Sequence, residues 1–157
     1  MVSPVKWEKS TSTKTVVIDL GTTLATDTLS AVGATPYDNT LAANLDTFVW
    51  FELQTSSGNL FSTAVTRANA TVDIYAVRAL DGTNYENAPV TADLSEFPQL
   101  KIASIPIPTE TGVVPATPGR PFALDPYKHK FYVFNNTDQT MQNTWQLNIY
   151  VNNLEGQ

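Results

Sequence analysis

Trp145, Leu147, Ile149 and Val151 alternate strictly with Thr144, Gln146, Asn148, Tyr150 and Asn152. Successive side chains of a strand point to opposite faces, so this pattern predicts a strand over 144–152 with one apolar and one polar face. Residues 45–54 place Val49, Phe51 and Leu53 on one face and Phe48 and Trp50 on the other. With apolar groups on both faces, that segment reads as a central strand covered on both sides. Residues 70–79 set Val72, Ile74 and Ala76 against Thr71, Asp73, Tyr75 and Val77 and predict a further strand. Residues 14–20 are rich in β-branched side chains, as strands are. Residues 100–105 form a short strand that Pro106 and Pro108 mark as an edge or an exit, because proline cannot donate to a ladder. A strand over 128–135 follows. Turn residues cluster at Ser56–Asn59, Asp81–Asn84 and Asn135–Asp138. Residues 21–44 read as a long loop with a short helix or weak edge strand over 24–32, and 106–121 as an extended, proline-rich loop.

No segment of helical length carries a helical stripe. Six to eight strands with turn-rich joins predict an all-β fold, an antiparallel β-sandwich or jelly-roll-like single domain over residues 14–157. Residues 1–13 are polar and read as a flexible or docking N-terminal arm. Trp7 is the exception there, since an indole in such an arm docks on its own domain or on a neighbour.

A chain of 157 residues with 42% hydrophobic content is long enough to bury one core. Charged residues make up only 15%, against about 25% in a typical domain. The net charge is −6 and the nine Lys and Arg are scattered, so no nucleic acid and no anionic membrane surface is expected as a partner. The absence of cysteine excludes disulfides, thiolate metal sites and a cysteine nucleophile. The N-terminal residues lack the apolar core of a signal peptide, and no apolar run reaches membrane-spanning length. A protein acting outside the cell would then be expected to leave by lysis.

Catalytic chemistry has little to draw on. The single histidine, His129, lies between Lys128 and Lys130 with no Gly-x-Ser-x-Gly elbow in the chain. Strand parity places it with Phe131 and Val133, at the margin of the core. One His and no Cys exclude the usual zinc sites. The oxygens of Asp81, Asn84 and Glu86 read as a turn rather than a calcium loop. Glu52 reads as a strand-end carboxylate reaching solvent. Asn69 and Asn135 begin sequon-like triplets, read as chance in a chain rich in Asn and Thr. No catalytic residue, no metal and no cofactor is expected. Trp50, Tyr75, Tyr132 and Tyr150 offer rings for a sugar platform or for a core or interface, and Tyr132 and Tyr150 lie on the more polar faces of their strands.

One order of segments carries a resemblance. Tyr75-Ala76-Val77-Arg78 and Asp81-Gly82-Thr83-Asn84-Tyr85-Glu86 precede Ser104-Ile105-Pro106-Ile107-Pro108. Phe131-Tyr132-Val133-Phe134-Asn135-Asn136-Thr137 and Trp145-Gln146-Leu147-Asn148-Ile149-Tyr150 follow. Over residues 45–152 this order resembles the small β-sandwich head decoration, or cement, proteins of tailed bacteriophages. The resemblance implies a non-enzymatic, jelly-roll-like virion module on the capsid exterior, made in the bacterial host cytoplasm. It also implies a homo-oligomer, with a trimer favoured, that clamps the major capsid protein. On that reading the candidate interface residues are Trp7, Pro106, Pro108, Pro115, Pro118, Tyr132 and Tyr150. The alternative expectation is a carbohydrate- or receptor-binding sandwich of a phage tail or baseplate.

Overall fold

A computed structural model of the chain describes residues 6–9, 15–19, 23–30, 36–40, 48–55, 58–85, 100–108 and 121–155. Ten strands are found there: β1 (Lys6–Lys9), β2 (Thr15–Asp19), β3 (Thr28–Leu29), β4 (Tyr37–Asp38), β5 (Phe48–Thr55), β6 (Thr71–Ala79), β7 (Lys101–Pro106), β8 (Phe122–Ala123), β9 (Lys128–Asn136) and β10 (Trp145–Glu155). They form two antiparallel sheets, a β-sandwich. In the first, β10 pairs with β5 and β5 with β8, while β1 and β2 share the other edge of β10. In the second, β9 pairs with β6 and β6 with β7, while β3 and β4 share the other edge of β9.

The long strands lie where the alternation put them, and the short ones account for the larger strand number. β3 is a two-residue strand within the 24–32 stretch read as a short helix or a weak edge strand, β4 a two-residue strand in the rest of the expected loop, and both gain their hydrogen bonds from β9. Lys6–Lys9, inside the expected arm, pair with Asn152–Glu155 of β10 as an integral strand of the first sheet.

The strand covered on both faces is β6 and not β5. Val72 and Ile74 enter the core, and Asp73, Tyr75, Val77 and Ala79 on the other face are buried as well. On β5, Val49, Phe51 and Leu53 are fully buried, whereas Phe48 and Trp50 are half-buried.

The core fills the space between the sheets. Phe51 of β5 meets Phe131 of β9 edge to face at 5.3 Å, an arrangement favoured by the ring quadrupoles. Leu147, Ile149 and Trp145 of β10 join Val72, Ile74, Val133, Ala103 and Ile105 of the second sheet in one buried cluster. At one end of the sandwich, buried Asn135 donates from Nδ2 to the carbonyls of Leu24, Ala25 and Gln139 at 3.1, 3.1 and 2.8 Å. Thr137 Oγ1 donates to Asn135 Oδ1 at 2.8 Å. This satisfied polar knot ties the turn after β9 to residues 24–25. Beside it Arg67 grips Asp27, whose φ is 52°, with two bonds of 2.6 and 2.9 Å.

Candidate interaction surface

The outer face of the first sheet is built by parity. On β5 it takes Trp50, Glu52 and Gln54, the residues that alternate with Phe51 and Leu53. On β10 it takes Gln146, Asn148 and Tyr150. The register sets Trp50 opposite Tyr150, Glu52 opposite Asn148 and Gln54 opposite Gln146. Opposed side chains of an antiparallel pair have their Cβ atoms about 5 Å apart, so these six form one continuous strip.

A hydrogen-bond ladder organises the strip. Tyr150 Oη donates to Glu52 Oε2 at 3.0 Å. Asn148 Nδ2 lies 3.2 Å from both Glu52 Oε2 and Gln54 Oε1. Gln146 Nε2 reaches across to Asp19 Oδ1 of β2 at 3.0 Å. Burial, followed by the Glu52 carboxylate at its hydroxyl, pushes the Tyr150 phenol above its ordinary value. Asn148 is fully buried beneath its neighbours, and its Oδ1 has no hydrogen-bond partner. Glu52 is therefore no strand-end carboxylate. It sits in the middle of β5 as an acceptor for two side chains of the adjacent strand.

Tyr132 occupies the corresponding outer face of the second sheet. It is half-buried opposite Tyr75, next to Phe134, which lies opposite Asp73. Lys130 Nζ sits 4.2 Å above the ring of Tyr85. Lys101 Nζ pairs with the buried Asp73 at 2.7 Å. Burial raises the Tyr75 and Tyr132 phenols above the usual tyrosine range. Tyr132 and Tyr150, predicted as parts of one interface, thus lie on different sheets.

The proline candidates fall at an edge. β7 is the last strand in the order of its sheet, with Pro106 opposite Thr71 and exposed, and Pro108 exposed two residues on. A register shift at Ile74/Tyr75 interrupts the ladder near Lys101. Proline, lysine and a bulge are the features by which sheet edges resist indiscriminate pairing. Pro115 and Pro118 lie outside the described residues. For Trp7 the backbone is described, opposite Leu154.

The remaining sequence candidates make their contacts within the fold. His129 is buried, stacked 6.1 Å from Phe131 at an interplanar angle of 10°, with Nε2 2.9 Å from the Asp125 carbonyl oxygen. Arg78, its cross-strand partner, pairs with the Asp125 carboxylate at 2.7 Å. Asp81 spends its carboxylate on its own turn, accepting from the Thr83 and Asn84 amides at 2.9 and 2.6 Å. These bonds hold its carboxyl below the usual range. Gly82 at φ 79° completes that turn. Among the described residues no group of three His, Asp or Glu is placed to hold a metal ion. A shallow cleft of about 300 Å³ opens between the turns at 58–62 and 142–144, lined by Asn59, Ser62, Gln142, Asn143 and Thr144 over Phe61.

Asn148 and Glu52 are the residues of this surface that sequence reasoning missed as a pair. The signal was available in the even positions of the closing strand, but their partners on β5 follow only from the register. Compared with family models, with curated proteins and with solved structures, the chain matches none of them.

Proposed function

We propose that this protein is a non-enzymatic virion component, a decoration module that binds the outer surface of a bacteriophage head and stabilises the shell. The observation that carries the reading is where the resembling segments fall. Tyr75–Arg78 lie in β6, Phe131–Asn136 in β9 and Trp145–Tyr150 in β10. They are three of the four strands at the centre of a two-layer antiparallel sandwich, the architecture the resemblance implies.

The surface chemistry supports the same reading. Cores of protein interfaces are rich in aromatic groups and poor in charge. The strip from Trp50 to Gln54 and from Gln146 to Tyr150 has one charged residue, Glu52, already engaged by Asn148 and Tyr150. At the other sheet's edge, Pro106 and Pro108 are exposed where the chain enters the proline-rich segment. An extended proline-rich segment loses less conformational entropy on being ordered by a neighbour than a flexible one does.

The test is sedimentation of the purified protein with mature heads stripped of it. Saturable binding at a fixed number of copies per shell is expected. It should be accompanied by a rise in the temperature at which heads release their DNA, because a ligand of the assembled shell stabilises it by mass action. Failure to cosediment with the heads of the encoding phage would overturn the reading.

A further inference from the structure

We propose that the outer face of the first sheet, centred on Trp50, Glu52, Asn148 and Tyr150, is a binding site for a neutral saccharide. This inference stands apart from the head-binding reading, because it rests on the chemistry of one sheet face and not on where the protein resides.

Three features of the face select the ligand. The first is the aromatic pair. Trp50 and Tyr150 are direct cross-strand partners and both are half-buried, so neither residue is sealed in the core. Such rings offer an apolar surface beside a polar edge, which suits the C–H face of a pyranose. The second is the hydrogen-bonding row beside them. Glu52, Gln54, Asn148 and Gln146 continue the same strip with carboxylate and amide groups, the complements of sugar hydroxyls. The third is charge. Positions 50–54 and 146–150 contain no Lys or Arg, and the one charge among them is the Glu52 carboxylate. Phosphorylated, sulfated or carboxylated sugars would meet the repulsion of the Glu52 carboxylate, and these positions offer them no cation.

An independent observation points to a missing partner. Asn148 Oδ1 is buried without a hydrogen bond, while its Nδ2 is held by Glu52 and Gln54. An acceptor left in this state costs about 1–3 kcal/mol. A ligand hydroxyl that reached Oδ1 would donate to it and remove that cost. The strip also sits on paired strands, so its polar groups are fixed in place before a ligand arrives.

The experiment uses the full chain on an array of neutral and anionic glycans, followed by an NMR titration with the neutral saccharide that binds best. Binding to neutral glycans is expected, with shifts centred on the Trp50 indole N–H and the Asn148 side-chain amide. Trp50→Ala should weaken binding by roughly tenfold or more, as the loss of a central aromatic anchor does. Trp50→Phe and Tyr150→Phe, which keep a ring at each position, should weaken it by smaller factors while remaining folded at the assay temperature, so the test does not depend on the alanine variant folding. No bound neutral glycan, binding confined to anionic glycans, or shifts located away from Trp50 and Asn148 would each overturn the proposal. Head binding, measured in parallel on the same variants, separates its failure from failure of the decoration reading.

Discussion

Tyr150 and Glu52 stand diagonally across the β5–β10 pair, and the tyrosine hydroxyl donates to Glu52 Oε2 at 3.0 Å. The bond makes one unit of the aromatic and polar halves of the strip. Tyr150→Phe should cost about 1 kcal/mol by urea unfolding, the ordinary net worth of one such bond. In Glu52→Gln the negative charge beside the phenol is gone, so Tyr150 should ionise at lower pH than in the parent protein, read by an NMR titration of its ring. It should still ionise above an ordinary tyrosine, because burial, the larger cause of its shift, remains.

Asn135 joins the carbonyls of Leu24, Ala25 and Gln139. Asn135→Ala removes all three bonds and leaves a buried void, so a loss of about 3 kcal/mol is expected in chemical unfolding. Asn135→Asp should cost more, since an ionised carboxylate can only accept and would face carbonyl oxygens.

Phe51 holds the two sheets together, with its ring 5.3 Å from Phe131 and 5.8 Å from Phe122. Phe51→Ala should destabilise the fold by about 3–5 kcal/mol, the range for emptying a fully buried aromatic site. Phe51→Leu should recover much of that loss, and a comparison of the two melting curves checks the assignment.

His129 should make stability fall as the medium becomes mildly acidic. Burial lowers its proton affinity below that of a free histidine, and the neighbouring Arg78 works in the same direction, while the Asp125 carbonyl and charge oppose them. The bond to a carbonyl requires the proton on Nε2, so the neutral ring already makes its donor contact. The unfolded chain takes up a second ring proton near pH 6.5 and the folded chain only at lower pH. Stability is thus fully present above the unfolded value and declines as pH falls below it. His129 is the only histidine, so in His129→Phe the slope of the unfolding midpoint between pH 7 and pH 5 should flatten.

A second, separate limb is expected below pH 4. Thr66 and the Arg67 amide hold the Asp138 carboxyl down to about 2, and Arg67 lowers Asp27. Both carboxylates stabilise the fold above their unfolded value of 3.8 and lose that contribution as pH drops towards the folded ones. Asp138→Asn should shallow this limb and leave the His129 limb unchanged.

The long strands were legible because a half-buried strand writes its burial into every second residue, as β10 does from Trp145 to Val151. The parity of β9 likewise placed His129 beside Phe131. β4 was not legible, and β3 only as one of two alternatives over 24–32, since a two-residue strand has no period and gains its partners from β9. The double coverage of β6 was hidden as well, because Asp73 looks like a solvent residue until Lys101 from β7 is seen to neutralise it. The strip on the first sheet was half visible. Trp50 and Tyr150 stood out as aromatics on polar or mixed faces, but their opposition depends on a register between residues a hundred positions apart. The fold alternates sheets, with β5 in the first and β6 in the second, β9 in the second and β10 in the first. The strands on either side of these two joins are therefore not ladder neighbours, which local patterning cannot reveal.

The decoration reading is tested most directly by finding the protein in the virion. Heads and tails of the encoding phage are separated on a gradient and each fraction is quantified by mass spectrometry against the major capsid protein. The chain is expected in the head fraction, in a fixed ratio to the capsid subunit and accessible to surface labelling of intact heads. Recovery with the tails, or absence from the particle, would contradict it.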